Sequence, residues 1–135
     1  MGQGYGFKCS QCGHEEDILE GQGFMVHGLT LKEYLNHPFM KFHPSTHRKI
    51  LRLSKKLRGL QIFCEYRGYL CPTCNIPATK LYVEVYKGGT IYHQSSFRCK
   101  KCNHELVEKK IDLREVYNCP SCNSPVFMFG NILWE

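Results

Sequence analysis

No stretch of this chain approaches the roughly 18–20 consecutive apolar residues that a membrane-spanning helix needs, so no membrane partner is expected. The opening MGQGYGFKCSQC lacks an apolar h-region, which argues against a secretory signal peptide. Gly2 invites comparison with an N-myristoylation signal, but position 6 is Gly6 rather than Ser or Thr. Aliphatic residues are too few for one large shared core. No Ser/His/Asp constellation and no phosphate-binding Gly-rich loop can be found, so the reading is of a protein that is not an enzyme, with no small-molecule substrate inferred. Carboxylates are missing altogether between Glu33 and Glu65.

What the chain does have is cysteine, nine in 135 residues. Eight of them form four Cys-x-x-Cys pairs, Cys9/Cys12, Cys71/Cys74, Cys99/Cys102 and Cys119/Cys122, and only Cys64 stands alone. Without a secretory leader a cytoplasmic, thiol-reducing setting is expected, and there such pairs read as metal ligands rather than a disulfide framework. Two residues between cysteines let a tight turn aim both sulfurs at one point. Four thiolates from two such hooks surround one tetrahedral Zn²⁺ at Zn–S distances of about 2.3 Å. The sixteen residues between Cys102 and Cys119 suit a zinc site.

The hooks fall into two kinds. FKCSQCGHE at 7–15 matches FRCKKCNHE at 97–105 in character, and CPTCNIP at 71–77 matches CPSCNSP at 119–125. The simplest inference is an internal repeat. Cys9, Cys12, Cys71 and Cys74 then hold one ion, and Cys99, Cys102, Cys119 and Cys122 another. A crossed arrangement, Cys9/Cys12 with Cys99/Cys102, is the alternative. After each second cysteine comes Gly13, Asn75, Asn103 or Asn123, the residue types that most readily take positive φ. That conformation curls backbone N–H groups toward the sulfurs, which stabilises thiolate and fixes its direction.

Hooks of this form, with Pro72 and Pro120 inside the second kind, resemble those of the zinc ribbons, and the single hook resembles that of rubredoxin. The resemblance covers residues 5–22 and 66–135. It implies sites set between two β-hairpin hooks and backed by a small antiparallel sheet. The opening GYGFKCSQCG also resembles the start of small uncharacterised bacterial proteins with paired cysteine hooks, a likeness that implies no activity.

The expected fold is therefore small, metal-dominated and mainly β. Residues 1–87 form a first zinc ribbon with a helical insertion at about 23–63, and residues 88–135 form a second. Within the insertion, Thr30 and Glu33 have the spacing of a capping box, predicting a short helix from Leu31 to about His37 that Pro38 stops. Ser45 or Thr46 is placed to cap a second, basic helix over 46–58, with Ile50, Leu53 and Leu57 on one face and Gly59 as its C′ residue. Strands are expected over 60–70, 80–87, 90–97, 105–110 and 126–133, with Gly88-Gly89 turning a hairpin.

Two zinc ions are the expected cofactors, with iron the alternative for a tetrahedral S₄ donor set. Four thiolates leave no open position, the mark of a structural site. Cys64 reads as a small buried hydrophobe, and His14 and His104 as residues near the sulfurs or on the surface rather than ligands. No role is assigned to His37, His43 or His47.

Charge is concentrated in residues 41–58, where Lys41, Arg48, Lys49, Arg52, Lys55, Lys56 and Arg58 occur with no carboxylate. A helix made polar only for solubility mixes Glu with Lys. Arg48, Lys49, Arg52, Lys55, Lys56 and Arg58 are therefore candidate nucleic-acid contacts, with a log–log salt slope of roughly −4 to −6. Tyr82, Tyr86, Tyr92 and Phe97 could stack bases or pack a thin sheet. Two readings follow: a binding module for nucleic acid, or a protein-interaction adaptor or self-associating zinc protein in which Ile50, Leu53 and Leu57 face the partner.

Overall fold

The computed structural model describes residues 2–21, 29–36 and 42–134. Its organising element is strand β4 (Gln61–Leu70), whose burial alternates over Gln61–Glu65 in the two-residue period of a pleated strand. One edge of β4 pairs along its whole length with β5 (Pro77–Lys87), setting Ile62 opposite Val85 and Cys64 opposite Val83. The other edge is shared by three pieces. Strand β3 (Leu29–Thr30) takes Gln61 and Ile62. Gly21, ending β2 (Glu15–Gly21), takes Tyr66. Strand β7 (Val107–Glu108) takes Tyr69 and Leu70.

Strand β1 (Gly2–Lys8) pairs in register with β2, and β6 (Thr90–Gln94) pairs with β5 across Gly88-Gly89. Strand β10 (Phe129–Trp134) lies on the free side of β1, so the sheet runs β10-β1-β2-β4-β5-β6. A separate hairpin joins β8 (Val116–Asn118) to β9 (Pro125–Phe127). Of the expected strands, that over 105–110 shrinks to β7, and that over 126–133 breaks at Met128 into β9 and β10. The described residues are mainly β with two short helices.

Helix α1 (Leu31–Asn36) opens on the capping box. The Glu33 N–H donates to Thr30 Oγ1 at 3.2 Å, and the Thr30 N–H donates to Glu33 Oε1 at 3.3 Å. His37, Pro38 and Lys41 lie outside the described residues. Helix α2 (Pro44–Ser54) begins earlier than Ser45 or Thr46 would place it. Proline is preorganised for the first helical position, and His43 Nδ1 accepts the Ser45 N–H at 3.2 Å, the service a cap side chain usually gives. The helix also ends earlier. The N–H groups of Lys56 and Leu57 both turn back to the Leu53 carbonyl, at 3.0 and 2.9 Å. Lys55, Lys56 and Arg58 therefore sit in the turn beyond α2, and Gly59 takes its positive φ of 74° at the end of that turn rather than at C′.

Two apolar cores result. The first gathers Tyr34, Phe42, Ile50, Leu60, Ile62, Cys64, Val83 and Val85 beneath the helices, with Leu53 and Leu57 at its margin. Cys64 is fully buried there, as its place in an apolar strand predicted. The second gathers Phe7, Cys9, Ile18, Ile111, Tyr117, Cys119, Val126 and Met128, drawn from the two ends of the chain.

Candidate metal centres and basic face

Each Cys-x-x-Cys hook is the tip of a β-hairpin or bridge: between β1 and β2, between β4 and β5, at the Arg98–Glu105 bridge, and between β8 and β9. All four close identically. The first cysteine's carbonyl accepts the N–H of the residue four on at 2.9 Å, in Gly13, Asn75, Asn103 and Asn123. Its own N–H donates to the carbonyl five on, at 2.8 Å to His14, His104 and Ser124 and 3.2 Å to Ile76. Those four following residues carry the anticipated positive φ, 78°, 55°, 61° and 66°. N–H groups duly turn to sulfur, Cys74 to Cys71 Sγ at 3.3 Å and Lys101 to Cys99 Sγ at 3.4 Å.

The hooks do not pair in sequence order, nor in the crossed order. Cys9, Cys12, Cys119 and Cys122 form one sulfur cluster, and Cys71, Cys74, Cys99 and Cys102 the other. The second tetrad is nested inside the first along the chain. Each tetrad thus joins one hook from residues 1–87 to one from residues 88–135. The reason is strand order: β1–β2 and the β8–β9 hairpin meet over the second core, while β7 brings the third hook to the end of β4 beside the second.

Sulfur spacings suit tetrahedral coordination. Zn–S bonds of about 2.3 Å require S···S edges of about 3.8 Å. The contacts are 3.5 Å for Cys9–Cys122, 3.6 Å for Cys12–Cys119, 3.4 Å for Cys71–Cys102 and 4.0 Å for Cys74–Cys99. All eight sulfurs are thereby placed to hold two metal ions, and a tetrahedral S₄ set accepts zinc or iron. In each hook the first cysteine is buried, while Cys12 and Cys122 are exposed and Cys74 and Cys102 half-buried.

Four thiols this close cannot all ionise without a cation to offset their mutual repulsion. Each tetrad accordingly holds one acidic sulfur beside reluctant ones, which in the Cys71 tetrad include Cys102 as well as Cys74. The N–H groups of Cys102 and Lys101 draw Cys99 down to about 6. The hydroxyl and N–H of Ser124 do the same for Cys122, also to about 6. The Cys102 sulfur and burial push Cys74 up to about 12. At Cys12 the His14 N–H is the largest single influence, but burial and the other three sulfurs together outweigh it and raise the thiol to about 12.

His14 and His104, equivalent in sequence, differ in surroundings. His14 Nδ1 lies 3.2 Å from Ser121 Oγ and its Nε2 3.0 Å from Glu16 Oε1, tying the first hook to the fourth. His104 is exposed, and neither ring belongs to a cysteine cluster. Ser121 and Ser124 are site residues that sequence reasoning missed; their positions inside and after a hook were the available signal.

The six candidate basic residues are all exposed: Arg48, Lys49 and Arg52 on α2, and Lys55, Lys56 and Arg58 in the turn after it. Among the described residues none of the six makes an ion pair with a carboxylate. Lys87, unremarked in the sequence, brings a further cation against Gly59 at the same turn. Ile50, Leu53 and Leu57, expected in the adaptor reading to face a partner, pack instead on the protein's own first core. Two of the four candidate aromatics, Tyr82 and Phe97, are turned away from the basic face. Tyr82, opposite Glu65, lies on the face of the β4–β5 pair opposite to Val83 and Val85. It is covered by the Arg67 guanidinium 3.8 Å above its ring, and Phe97 packs edge-on against Tyr69. Both serve packing rather than a stacking platform for α2.

Among the described residues no helix is long and apolar enough to cross a membrane. Neither a family model, nor a curated protein, nor a solved structure matches this chain.

Proposed function

We propose that the chain is a zinc protein with two structural Cys₄ centres of the zinc-ribbon kind, serving as a cytoplasmic nucleic-acid-binding module. Coordination by four sulfurs leaves no place for a water or substrate, so the centres hold the framework and take no part in catalysis. The observation that carries the binding reading is an exposed cation set without carboxylate partners among the described residues: Arg48, Lys49 and Arg52 on a helix whose apolar side is fixed to the sheet, and Lys55, Lys56 and Arg58 in the turn after it. Cations without carboxylate partners release counterions when phosphate replaces solvent, which drives sequence-independent binding. An adaptor reading has lost Ile50, Leu53 and Leu57 as its docking face.

The test is a gel shift on mixed-sequence nucleic acid at low salt. Four to six phosphate contacts predict a log–log salt slope between about −4 and −5. The triple change Arg48→Glu, Arg52→Glu and Lys55→Glu should abolish the shift while two ions per chain are retained. Unaltered affinity in that variant would remove the basic face from the reading.

A further inference from the structure

The two sulfur clusters close loops of very different kinds. The inner hooks meet at Cys74 and Cys99, 25 residues apart in sequence, and the outer at Cys12 and Cys119, 107 apart. Closure probability falls as roughly the three-halves power of loop length, so from an unfolded chain the outer closure is about ninefold harder.

The folded framework removes that handicap. Gly21 pairs with Tyr66, and the Lys109 N–H donates to the Gly68 carbonyl at 2.9 Å. The two tails that bear the first and fourth hooks thus leave β4 two positions from each other. What makes them converge is residues 29–109: the first core, β4 with its partners β3, β5 and β7, and the inner tetrad. The buried members of the second core come wholly from the tails.

The inner hook also holds the approach to the outer one. Asn75, whose positive φ completes the Cys71–Cys74 turn, accepts the Asn118 N–H on its carbonyl at 2.9 Å. Its Nδ2 donates to the Val116 carbonyl at 2.9 Å. Asn118 is the residue before Cys119, so β8 is seated on a finished inner hook.

From this nesting we infer that the ions bind in a fixed order: the inner centre fills first and completes the unit built on the first core and on β4 with β3, β5 and β7, and the outer ion then clasps the two ends together over the second core. The outer centre opens without the inner one, which makes it a metal-operated clasp. Exposure runs the same way, since Cys12 and Cys122 are open to solvent where Cys74 and Cys102 are half-buried. This rests on both tetrads taking an ion.

The experiment starts from the wild-type chain loaded with Zn²⁺ and counted by native mass measurement. It is then challenged with chelator in the presence of a thiol alkylator, and labelled sites are mapped over time. Loss of the first ion should coincide with alkylation of Cys9, Cys12, Cys119 and Cys122, with Cys71, Cys74, Cys99 and Cys102 labelled at least tenfold more slowly. Uniform labelling, or the reverse order, overturns the inference. In companion variants, Cys119→Ser with Cys122→Ser should keep one ion and amide protection in β4 and β5. Cys99→Ser with Cys102→Ser should weaken the outer site at least tenfold, and an undiminished outer affinity there would also overturn it. Fewer than two ions before any challenge overturns the two-ion reading and the order with it, a result distinct from two ions that leave together.

Discussion

His93 shows how a one-residue irregularity decides a side chain's chemistry. Between β5 and β6 the register shifts, so that Val85 faces His93 while Tyr86 faces Ile91, leaving Tyr92 as the extra residue of a bulge. The bulge returns His93 to the face of Val85, which is fully buried in the first core. There its Nε2 is buried and makes no hydrogen bond to any described residue. Burial, and then the nearby Lys49 charge, hold its pKa below the ordinary value. The unfolded chain therefore binds this proton more readily than the folded one. Stability is fully present above the unfolded pKa of about 6.5 and declines as pH falls below it toward the depressed folded value. In zinc-loaded protein, His93→Leu should lose less stability between pH 7.5 and 5.5 than wild type does, read from urea midpoints. An equal loss would place the acid sensitivity elsewhere. None of this was legible beforehand, because alternation through Thr90–Phe97 does not reveal a bulge. The hook asparagines were legible for the opposite reason: positive φ at Asn75, Asn103 and Asn123 is demanded by the turn itself, whatever the rest of the chain does.

At the scale of elements, the same division between local and distant causes runs through β4. Its inward pattern and its hairpin with β5 are contained in consecutive residues, as is the capping box of α1. What shares its other edge is not, for β3, Gly21 and β7 come from three separated segments. Gly68 marks the tightest of these junctions. A Cβ there would stand 2.8 Å from the Lys109 carbonyl oxygen, a backbone atom that also receives no relief from side-chain rotation. The Lys109 N–H to Gly68 carbonyl bond lies at the same place. Gly68→Ala should consequently push residues 109–111 off β4, at a cost of about 1–3 kcal/mol, the usual range for overpacking. It should also loosen the Glu20 carboxylate that accepts the Ile111 N–H at 3.2 Å. Chemical denaturation measures the first effect and amide exchange at Ile111 the second. A fully stable Gly68→Ala protein would mean that β4 tolerates a side chain facing Lys109. Helix α2 misled for a related reason: serine and threonine are the usual cap residues, yet the backbone enters the helix at Pro44 and leaves a histidine to do the capping.

For the whole molecule, the eight cysteines that gather into sulfur clusters could be named from spacing alone, but their partition into two clusters could not. Each hook carries everything it needs to form its own turn and little that selects a partner: His14 and Ser121 join the first hook to the fourth, but His104 and Thr73 stand at the same places in the other two. Similar sequences at 7–15 and 97–105 suggested repetition along the chain, whereas the fold nests one tetrad within the other. Partner choice belongs to the framework: β1 and β2 pack with β8 and β9 on the second core, and β7 sets the third hook against β4. If so, the residues inside a hook are interchangeable between centres. Ser10 and Gln11 of the first hook, and Lys100 and Lys101 of the third, are all exposed. The link of Lys101 to Cys99 Sγ uses only its backbone N–H. A fourfold exchange, Ser10→Lys, Gln11→Lys, Lys100→Ser and Lys101→Gln, should leave two ions bound and the same four-sulfur groupings. Exposed substitutions usually stay within about 0.5 kcal/mol each, so the melting temperature should move by no more than a few degrees. Cross-linking of the sulfurs by a short bifunctional reagent in partly stripped protein would read the pairing directly, with Cys12 joined to Cys119 or Cys122. A new Cys12–Cys102 product in the exchanged protein would show that hook sequence, not strand order, chooses the partner.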